Sequence, residues 1–372
     1  MSRTILIMAG GTGGHIFPAI AVADYLRERH WSVVWLGTKS GMEAKLIPQR
    51  GYQSAWISFS GLRGAGFLRW IMLPIFLLIA CAQSASALFR FRPDVVLGMG
   101  GFAAFPGGLM TALFSKPLVI HEQNSVAGLS NRVLSTLAKN ILVGFPAAFV
   151  NPVSSRFGRA MSVAFRPKEK VMWCGNPVRD EIVAIAAPEA RLANRKGKLR
   201  LLVVGGSLGA QALNQTVPAA LALIDELERP CVTHQSGEKH LVSVKENYAR
   251  AAIDATVVHF LDDIGSHYAD CDLLLCRAGA LTIAEITVAG IASILVPYPH
   301  AVDDHQTHNA KFLSEHGAAI LIPQSELTPI ALAQLIHSLT REKLLEIAMR
   351  ARGLAKPDAT RLVAEACTEC AC

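Results

Sequence analysis

The sequence predicts an α/β protein built from two Rossmann-like, doubly wound parallel-sheet domains. Three observations lead there. Short apolar runs alternate with helical patterns along most of the chain, as parallel sheets covered on both faces require. The pattern restarts midway: residues 4–14 (TILIMAGGTGG) and 200–210 (RLLVVGGSLGA) are each an apolar run ending in a glycine-rich turn. The length, 372 residues, exceeds what one core comfortably holds and suits two domains.

Hydrophobic residues make up 51% and charged residues 17%, so a large core is expected and wholesale disorder is not. The net charge of +7 suits an anionic partner: a nucleotide, a phospholipid head group or a nucleic acid. Charge alone does not choose among them.

In chain order, the first-half runs are 4–9, 33–36, 94–97, 117–120 and 140–143. The second-half runs are 200–204, 231–234, 256–260, 273–276 and 293–296. Residues 4–9 are too short for a secretory signal and read as a first strand. Residues 16–29 form a helical pattern with Ile16, Ala19, Ile20, Ala23 and Leu26 on one face. Residues 151–198 are irregular and basic, and the domain junction is expected near 175–179. That gives domains 1–175 and 176–340, with a C-terminal helix and tail, 341–372, that could return to the first.

Residues 67–89 include IMLPIFLLIACA, an uncharged run shorter than the ~20 residues of a membrane span. Pro74 is expected to kink it. Ile71, Ile75, Leu78 and Ala82 share one face, with Arg63, Arg69, Arg90 and Arg92 flanking. That fits an interfacial helix and equally a helix buried in the core. Of the eight cysteines, Cys81, Cys174, Cys231, Cys271 and Cys276 lie in or beside apolar runs, where a reduced thiol is a small core residue. Cys367, Cys370 and Cys372 (CTECAC) read as a frayed tail, because a metal site would need a fourth ligand.

Three glycine turns carry the first chemical signal: Gly10-Gly11-Thr12-Gly13-Gly14-His15, Gly98-Met99-Gly100-Gly101 and Gly205-Gly206-Ser207-Leu208-Gly209. Without a Cβ, backbone N–H groups approach an anion closely, and a following helix N-terminus adds its dipole. No turn carries the lysine and hydroxyl of a Walker loop, and the dinucleotide spacing is absent. A nicotinamide-dependent dehydrogenase is therefore disfavoured. Polar clusters follow other runs: His121-Glu122-Gln123-Asn124, His234-Gln235-Ser236-Gly237, Arg277 to Glu285, and Asp303-Asp304-His305-Gln306. Strand carboxyl ends are where open α/β sheets bind ligands. Asp270-Cys271-Asp272 leads into a strand rather than out of one, so it reads as a structural turn. No metal is implied.

The segments GGTGGHIFPAIAVA, GMGGFAAFPG, HEQNSVAGLSNR, GNPVR, VVGGSLGAQALN, HQSG, CRAGALTIAE and DDHQTHNA together resemble the MurG family of bacterial glycosyltransferases. The resemblance runs from about residue 4 to residue 360. It implies a GT-B fold, two Rossmann-like lobes facing across a cleft. It implies inverting transfer of N-acetylglucosamine from UDP-GlcNAc to the C4 hydroxyl of lipid I, the undecaprenyl-pyrophosphoryl-MurNAc-pentapeptide, in peptidoglycan synthesis. No cofactor and no nucleic acid are implied.

By the same resemblance Arg179, Ser207 and Ala280, Leu281, Thr282, Ile283, Ala284 and Glu285 take the nucleotide, with Glu285 on the ribose. Leu261 meets uracil, and Gln306, beside His305, meets the sugar. Thr12, Gly13, Gly14 and Asn124 belong to the first lobe. His15 is the candidate base, since histidine's ordinary pKa suits proton transfer near neutrality. His121 and Glu122 are the fallback. Ile71, Ile75 and Leu78 become a contact with an anionic membrane, on the cytoplasmic face of the inner membrane. The chain departs from the family at Leu208, where glutamine is usual, at Phe102, where tyrosine is common, and at His305, where a second glutamine is more frequent. Another UDP-sugar enzyme of the same fold, a 2-epimerase or a transferase with a different acceptor, is the alternative. A non-catalytic membrane scaffold is a further one, and the joint presence of His15, Asn124, Arg179, Glu285 and Gln306 argues against it.

Overall fold

A computed structural model describes residues 3–59, 71–150, 167, 171–193, 195–206 and 209–371. Ser207, Leu208, Arg63, Arg69 and Cys372, all named above, lie outside the described residues. The chain forms two compact units, Met1–Arg179 with Pro357–Cys372, and Asp180–Lys356.

The first unit holds a seven-stranded sheet of β1 (Thr4–Met8), β2 (Ser32–Thr38), β3 (Gln53–Ile57), β4 (Val95–Gly98), β5 (Leu118–Glu122), β6 (Asn140–Val143) and β7 (Val171–Trp173), in the order β3-β2-β1-β4-β5-β6-β7. Its strand pairs are parallel. Successive side chains face opposite ways. Ile5, Ile7, Val33 and Trp35 pack with the helix Gly13–Glu28 on one side. Leu6, Met8, Val34 and Leu36 pack with Ala80, Ala87, Leu88 and Ala104 on the other.

The second unit repeats this winding. Its sheet comprises β8 (Arg200–Val204), β9 (Cys231–Gln235), β10 (Ala255–Val258), β11 (Leu273–Cys276), β12 (Ser293–Leu295) and β13 (Ile320–Leu321). The order is β10-β9-β8-β11-β12-β13, again with parallel pairing. The strands that the sequence reading lacks, β3, β7 and β13, all stand at sheet margins. Strand β7 is half-exposed and β13 only two residues long. A marginal strand is covered less fully, so it carries no continuous apolar run to read.

Three expectations change. The C-terminal residues are not a frayed tail: Ala359–Cys370 is a helix, with Val363, Cys367 and Cys370 buried against Gly13–Glu28 in the first unit. Burial pushes the Cys367 thiol well above its ordinary pKa. Pro74 stands in the first turn of the helix Leu73–Phe91 instead of bending it from within, and the part of the run before residue 71 lies outside the described residues. In a first turn the missing N–H of proline costs nothing because that donor has no helical acceptor anyway. Cys231 is exposed at the start of β9 rather than buried.

The turn at Asp270–Asp272 is pinned by arginines. The Asp272 carboxylate accepts from Arg195 at 2.9 Å, from Arg341 at 3.4 Å and from the Arg200 backbone N–H at 2.9 Å. Arg200 also pairs with Asp270. These partners explain both carboxylates structurally.

Candidate active site

Each sheet reverses its strand order beside its first strand, at β1/β4 and at β8/β11. Chain crossovers leave on opposite faces there, opening a crevice at the strand carboxyl ends. The glycine turns after β1, β4 and β8 all fall at these two places.

In the first unit the turn after β1 runs into the helix Gly13–Glu28. Thr12 is its N-cap, and the hydroxyl does not cap the helix. The first-turn N–H groups at Gly13 and Gly14 thus receive no side-chain cap from Thr12. A residue that the sequence reading passed over fixes this turn. Glu43 is fully buried. Its carboxylate accepts from the Gly11 N–H at 3.1 Å, the Thr38 N–H at 3.0 Å and the Thr38 hydroxyl at 2.8 Å. A Cβ on Gly10 would lie 2.5 Å from that carboxylate, and one on Gly41 2.0 Å. The third turn closes over the first: Gly101, at φ +83°, would carry its Cβ 2.2 Å from the Gly10 carbonyl oxygen. Part of the glycine signal thus reflects close backbone packing.

His15 is half-buried, and its Nδ1 lies 2.9 Å from Gln123 Oε1. No other hydrogen bond reaches its ring among the described residues. The fallback bases are engaged elsewhere. His121 is fully buried, with Nε2 2.9 Å from the Gly175 carbonyl and Nδ1 3.0 Å from Gln123 Nε2. Burial pulls its pKa down to about 4. The Glu122 carboxylate accepts from the Asn124 N–H at 2.9 Å, the Gly128 N–H at 3.1 Å and Asn131 Nδ2 at 2.9 Å. It builds the 124–128 loop. Asn124 is half-buried in that loop, its side chain also turned to Glu122. Arg179 falls in the first unit, its guanidinium 5.7 Å from the Phe17 ring.

A cavity of about 420 Å³ opens at the ends of β2 and β3 against the helix Leu73–Phe91, lined by Lys39, Trp56, Phe59, Leu73, Phe76 and Gln83 among others. On that helix Ile71 just before it, Ile75 and Leu78 are 57%, 48% and 70% exposed. Phe76 and Ile79 are exposed beside them. Only 28% of its most apolar stretch is buried.

In the second unit the turn after β11 opens the helix Ala280–Ala289, whose N-cap Gly279 makes no side-chain cap. Ala280 and Ile283 are buried, while Leu281, Thr282 and Ala284 are partly exposed. Glu285 is buried in the same helix and accepts from the Tyr268 hydroxyl at 3.1 Å. That carboxylate, after burial itself, pushes the Tyr268 pKa further upward. After β8, Gly209 at φ +76° would place a Cβ 2.2 Å from the Ser236 carbonyl oxygen. This packing joins the turns after β8 and β9. Leu261 is buried just past β10.

Gln306 opens the helix His305–Ser314, and its Oε1 accepts from the Tyr298 N–H at 2.9 Å. The preceding Asp303 and Asp304 both take positive φ, 49° and 53°, a conformation that costs energy and tends to gather at functional sites. Arg277 is a brace. It donates to the Val296 and Pro297 carbonyls at 3.0 and 3.2 Å and to Gln324 at 2.7 Å. Buried Asn309 donates to the Ala278 carbonyl at 3.1 Å. Gln306 and the 280–285 segment are thus tied to one rim, that of β11 and β12. Among the described residues no cluster of three or more His, Cys, Asp or Glu side chains is arranged to hold a metal ion.

Comparison with known proteins agrees with this two-domain architecture. Residues 5–143 match the glycosyltransferase family 28 N-terminal domain, and residues 200–363 the family's C-terminal domain. The UDP-N-acetylglucosamine–N-acetylmuramyl-(pentapeptide) pyrophosphoryl-undecaprenol N-acetylglucosamine transferase of Dechloromonas aromatica is 56% identical over 371 residues, all of both chains. The enzyme of the same name from Nitrosospira multiformis is 55% identical over 369 residues, 99% of each. The crystal structure of Acinetobacter baumannii MurG superposes with a TM-score of 0.82 at 36% identity, covering 99% of both chains. With both domains matched and relatives aligned from end to end, the chain belongs to glycosyltransferase family 28 and has its two-domain GT-B architecture.

Proposed function

We propose that the chain transfers N-acetylglucosamine from UDP-N-acetylglucosamine to the C4 hydroxyl of lipid-linked N-acetylmuramyl-pentapeptide, inverting the anomeric centre. The observation that carries this reading is the end-to-end identity, 55 and 56%, to transferases of that name. The second unit holds the donor. The uncapped N-terminus of Ala280–Ala289 receives the diphosphate and offsets the charge that grows as UDP departs. Glu285 accepts from the ribose hydroxyls, Leu261 lies against uracil, and Gln306 with His305 meets the sugar. Ser207 and Arg179 also serve the diphosphate. On the first unit Thr12, Gly13, Gly14 and Asn124 meet the acceptor, and His15 takes the proton of its C4 hydroxyl. That oxygen then bonds to the anomeric carbon while the bond to UDP breaks.

The exposed face of Ile71, Ile75 and Leu78 rests on the anionic cytoplasmic surface of the inner membrane, where a lipid-linked acceptor resides. An apolar stripe on a helix that ends in the exposed cations Arg90 and Arg92 binds such a surface reversibly. The deciding experiment incubates the protein with labelled UDP-N-acetylglucosamine and a lipid I analogue. A disaccharide lipid is the expected product. Release of free N-acetylmannosamine or labelling of a different acceptor would transfer the assignment to the 2-epimerase or another-acceptor reading.

A further inference from the structure

The ring of His15 ends a chain of hydrogen bonds whose direction is forced from its far end. The Gly175 carbonyl can only accept, so the His121 nitrogen 2.9 Å away, Nε2, carries a proton. His121 is fully buried and its pKa falls to about 4, so the ring is neutral and Nδ1 has only a lone pair. The Gln123 group 3.0 Å from that lone pair must be its amide NH₂. A second acceptor demands the same orientation: the His121 carbonyl lies 3.2 Å from Gln123 Nε2. The Gln123 carbonyl oxygen therefore faces His15, and His15 Nδ1, 2.9 Å away, must be the donor. The chain is held in place. Gln123 is 1% exposed, and its backbone carbonyl accepts from Asn176 at 3.0 Å. Gly100, at φ +90°, leaves room for the junction: a Cβ there would lie 2.8 Å from His15 Nδ1 and 3.4 Å from Gln123 Oε1.

We propose that Gln123 and His121 are positioning residues that fix His15 as its Nδ1–H tautomer, reserving Nε2 as the basic nitrogen. This deepens the proposed function and rests on its reading of His15 as the base. In the transfer step the acceptor C4–OH gives its proton to Nε2, the oxygen bonds to the anomeric carbon, and UDP leaves with the electron pair. The imidazolium so formed keeps its Nδ1–H on Gln123 Oε1, a bond that strengthens as charge appears. An unfixed imidazole would divide between two tautomers, one of which offers the proton on the wrong nitrogen.

Histidine ring ¹⁵N spectra of the full chain test this, with the His15 signals assigned by comparison with His15→Ala. Wild type should show protonated Nδ1 and a pyridine-type Nε2 at His15. Gln123→Met removes the acceptor, and the Nε2–H tautomer should grow in. Turnover should then fall about tenfold or more, up to the ~10²–10⁴-fold that a base contributes, while the KM for UDP-N-acetylglucosamine holds. Gln123→Glu, held protonated by burial and by the two His121 acceptors it faces, keeps an O–H donor toward His121 and a carbonyl acceptor toward His15, and should bring back the Nδ1–H tautomer and much of kcat. A wild-type His15 protonated on Nε2, or an unchanged tautomer in Gln123→Met, overturns the proposal. A tautomer that shifts while kcat does not upholds the relay and removes His15 as the base.

Discussion

Glu285 and Glu43 are both buried carboxylates, 5% and 0% exposed, and their partners separate their roles. Glu43 spends its oxygens on Thr38 and Gly11 and is wholly buried beneath the turn, so it shapes the glycine turn. Glu285 accepts from the Tyr268 hydroxyl and stands in the helix Ala280–Ala289, which follows a strand. A carboxylate can accept from several donors at once, so the Tyr268 bond is compatible with the proposed role on the ribose. Glu285→Ala should weaken UDP binding by about 1–3 kcal/mol in calorimetry, as loss of bonds to a charged group does. Tyr268→Phe is the control. It removes the hydroxyl and keeps the ring, so affinity should hold. Equal weakening by both variants would mean that Glu285 acts through Tyr268 rather than on the nucleotide. Glu285 was legible because it follows a strand and a glycine turn within one short segment. Glu43 was not, since it stands in an ordinary helix start and its glycine cage is assembled from Gly10, Gly37 and Gly41 across two strand ends. The Gln123 relay was half legible: the His-Glu-Gln-Asn cluster stood out, but only the fold shows which members face inward.

Two helices carry the same kind of apolar pattern and end differently. In Ala359–Cys370 the residues Ala359, Val363, Ala366, Cys367 and Cys370 recur at helical spacing; all are buried, the last four in the core of the first unit. The three closely spaced cysteines drew attention to thiol chemistry and away from that period. In Leu73–Phe91 the face turned to the sheet is Ala80, Ser84, Ala87 and Leu88, and the bulkier Ile75 and Leu78 point to solvent. Small residues inward and large apolar residues outward invert the usual arrangement of a soluble helix. Sequence could not separate core from interface here, because hydropathy records apolarity and not which face the neighbours cover. Replacing Ile71, Ile75 and Leu78 together with serine should lower binding to anionic vesicles severalfold and leave thermal stability near wild type, since little packing is lost. Sedimentation with phosphatidylglycerol vesicles and a melting curve measure the two. A variant that unfolds or precipitates would make the stripe part of the core.

The two units share a winding, and each also hides one histidine. His121 lies at the end of β5 and His234 in β9, and both are fully buried. The repeat of strand and glycine turn made the duplicated architecture legible, because continuous apolar runs mark central strands. Margins and long-range polar pairs were not legible, because neither leaves a local pattern. His234 sits between the Tyr248 hydroxyl at 2.9 Å and Asn214 Oδ1 at 3.0 Å. Burial lowers the pKa of each histidine from 6.5 to about 4. Between those values the unfolded chain takes up a proton that the folded unit refuses. Stability therefore rises with pH through this window and is lost as pH falls from about 6.5 toward 4. Each unit should lose up to ~1.4 kcal/mol per pH unit from this source. The units can be followed separately: Trp31, Trp35, Trp56, Trp70 and Trp173 all fall within Met1–Arg179. Tryptophan fluorescence reports the first unit, and far-UV circular dichroism reports both. In urea titrations the fluorescence midpoint should drop steadily from pH 7 to pH 5, and a dichroism component without a fluorescence counterpart should drop with it. A fluorescence midpoint that stays constant over that range would mean that His121 is charged in the folded unit, and the hydrogen-bond directions inferred from its neutrality would fall with it.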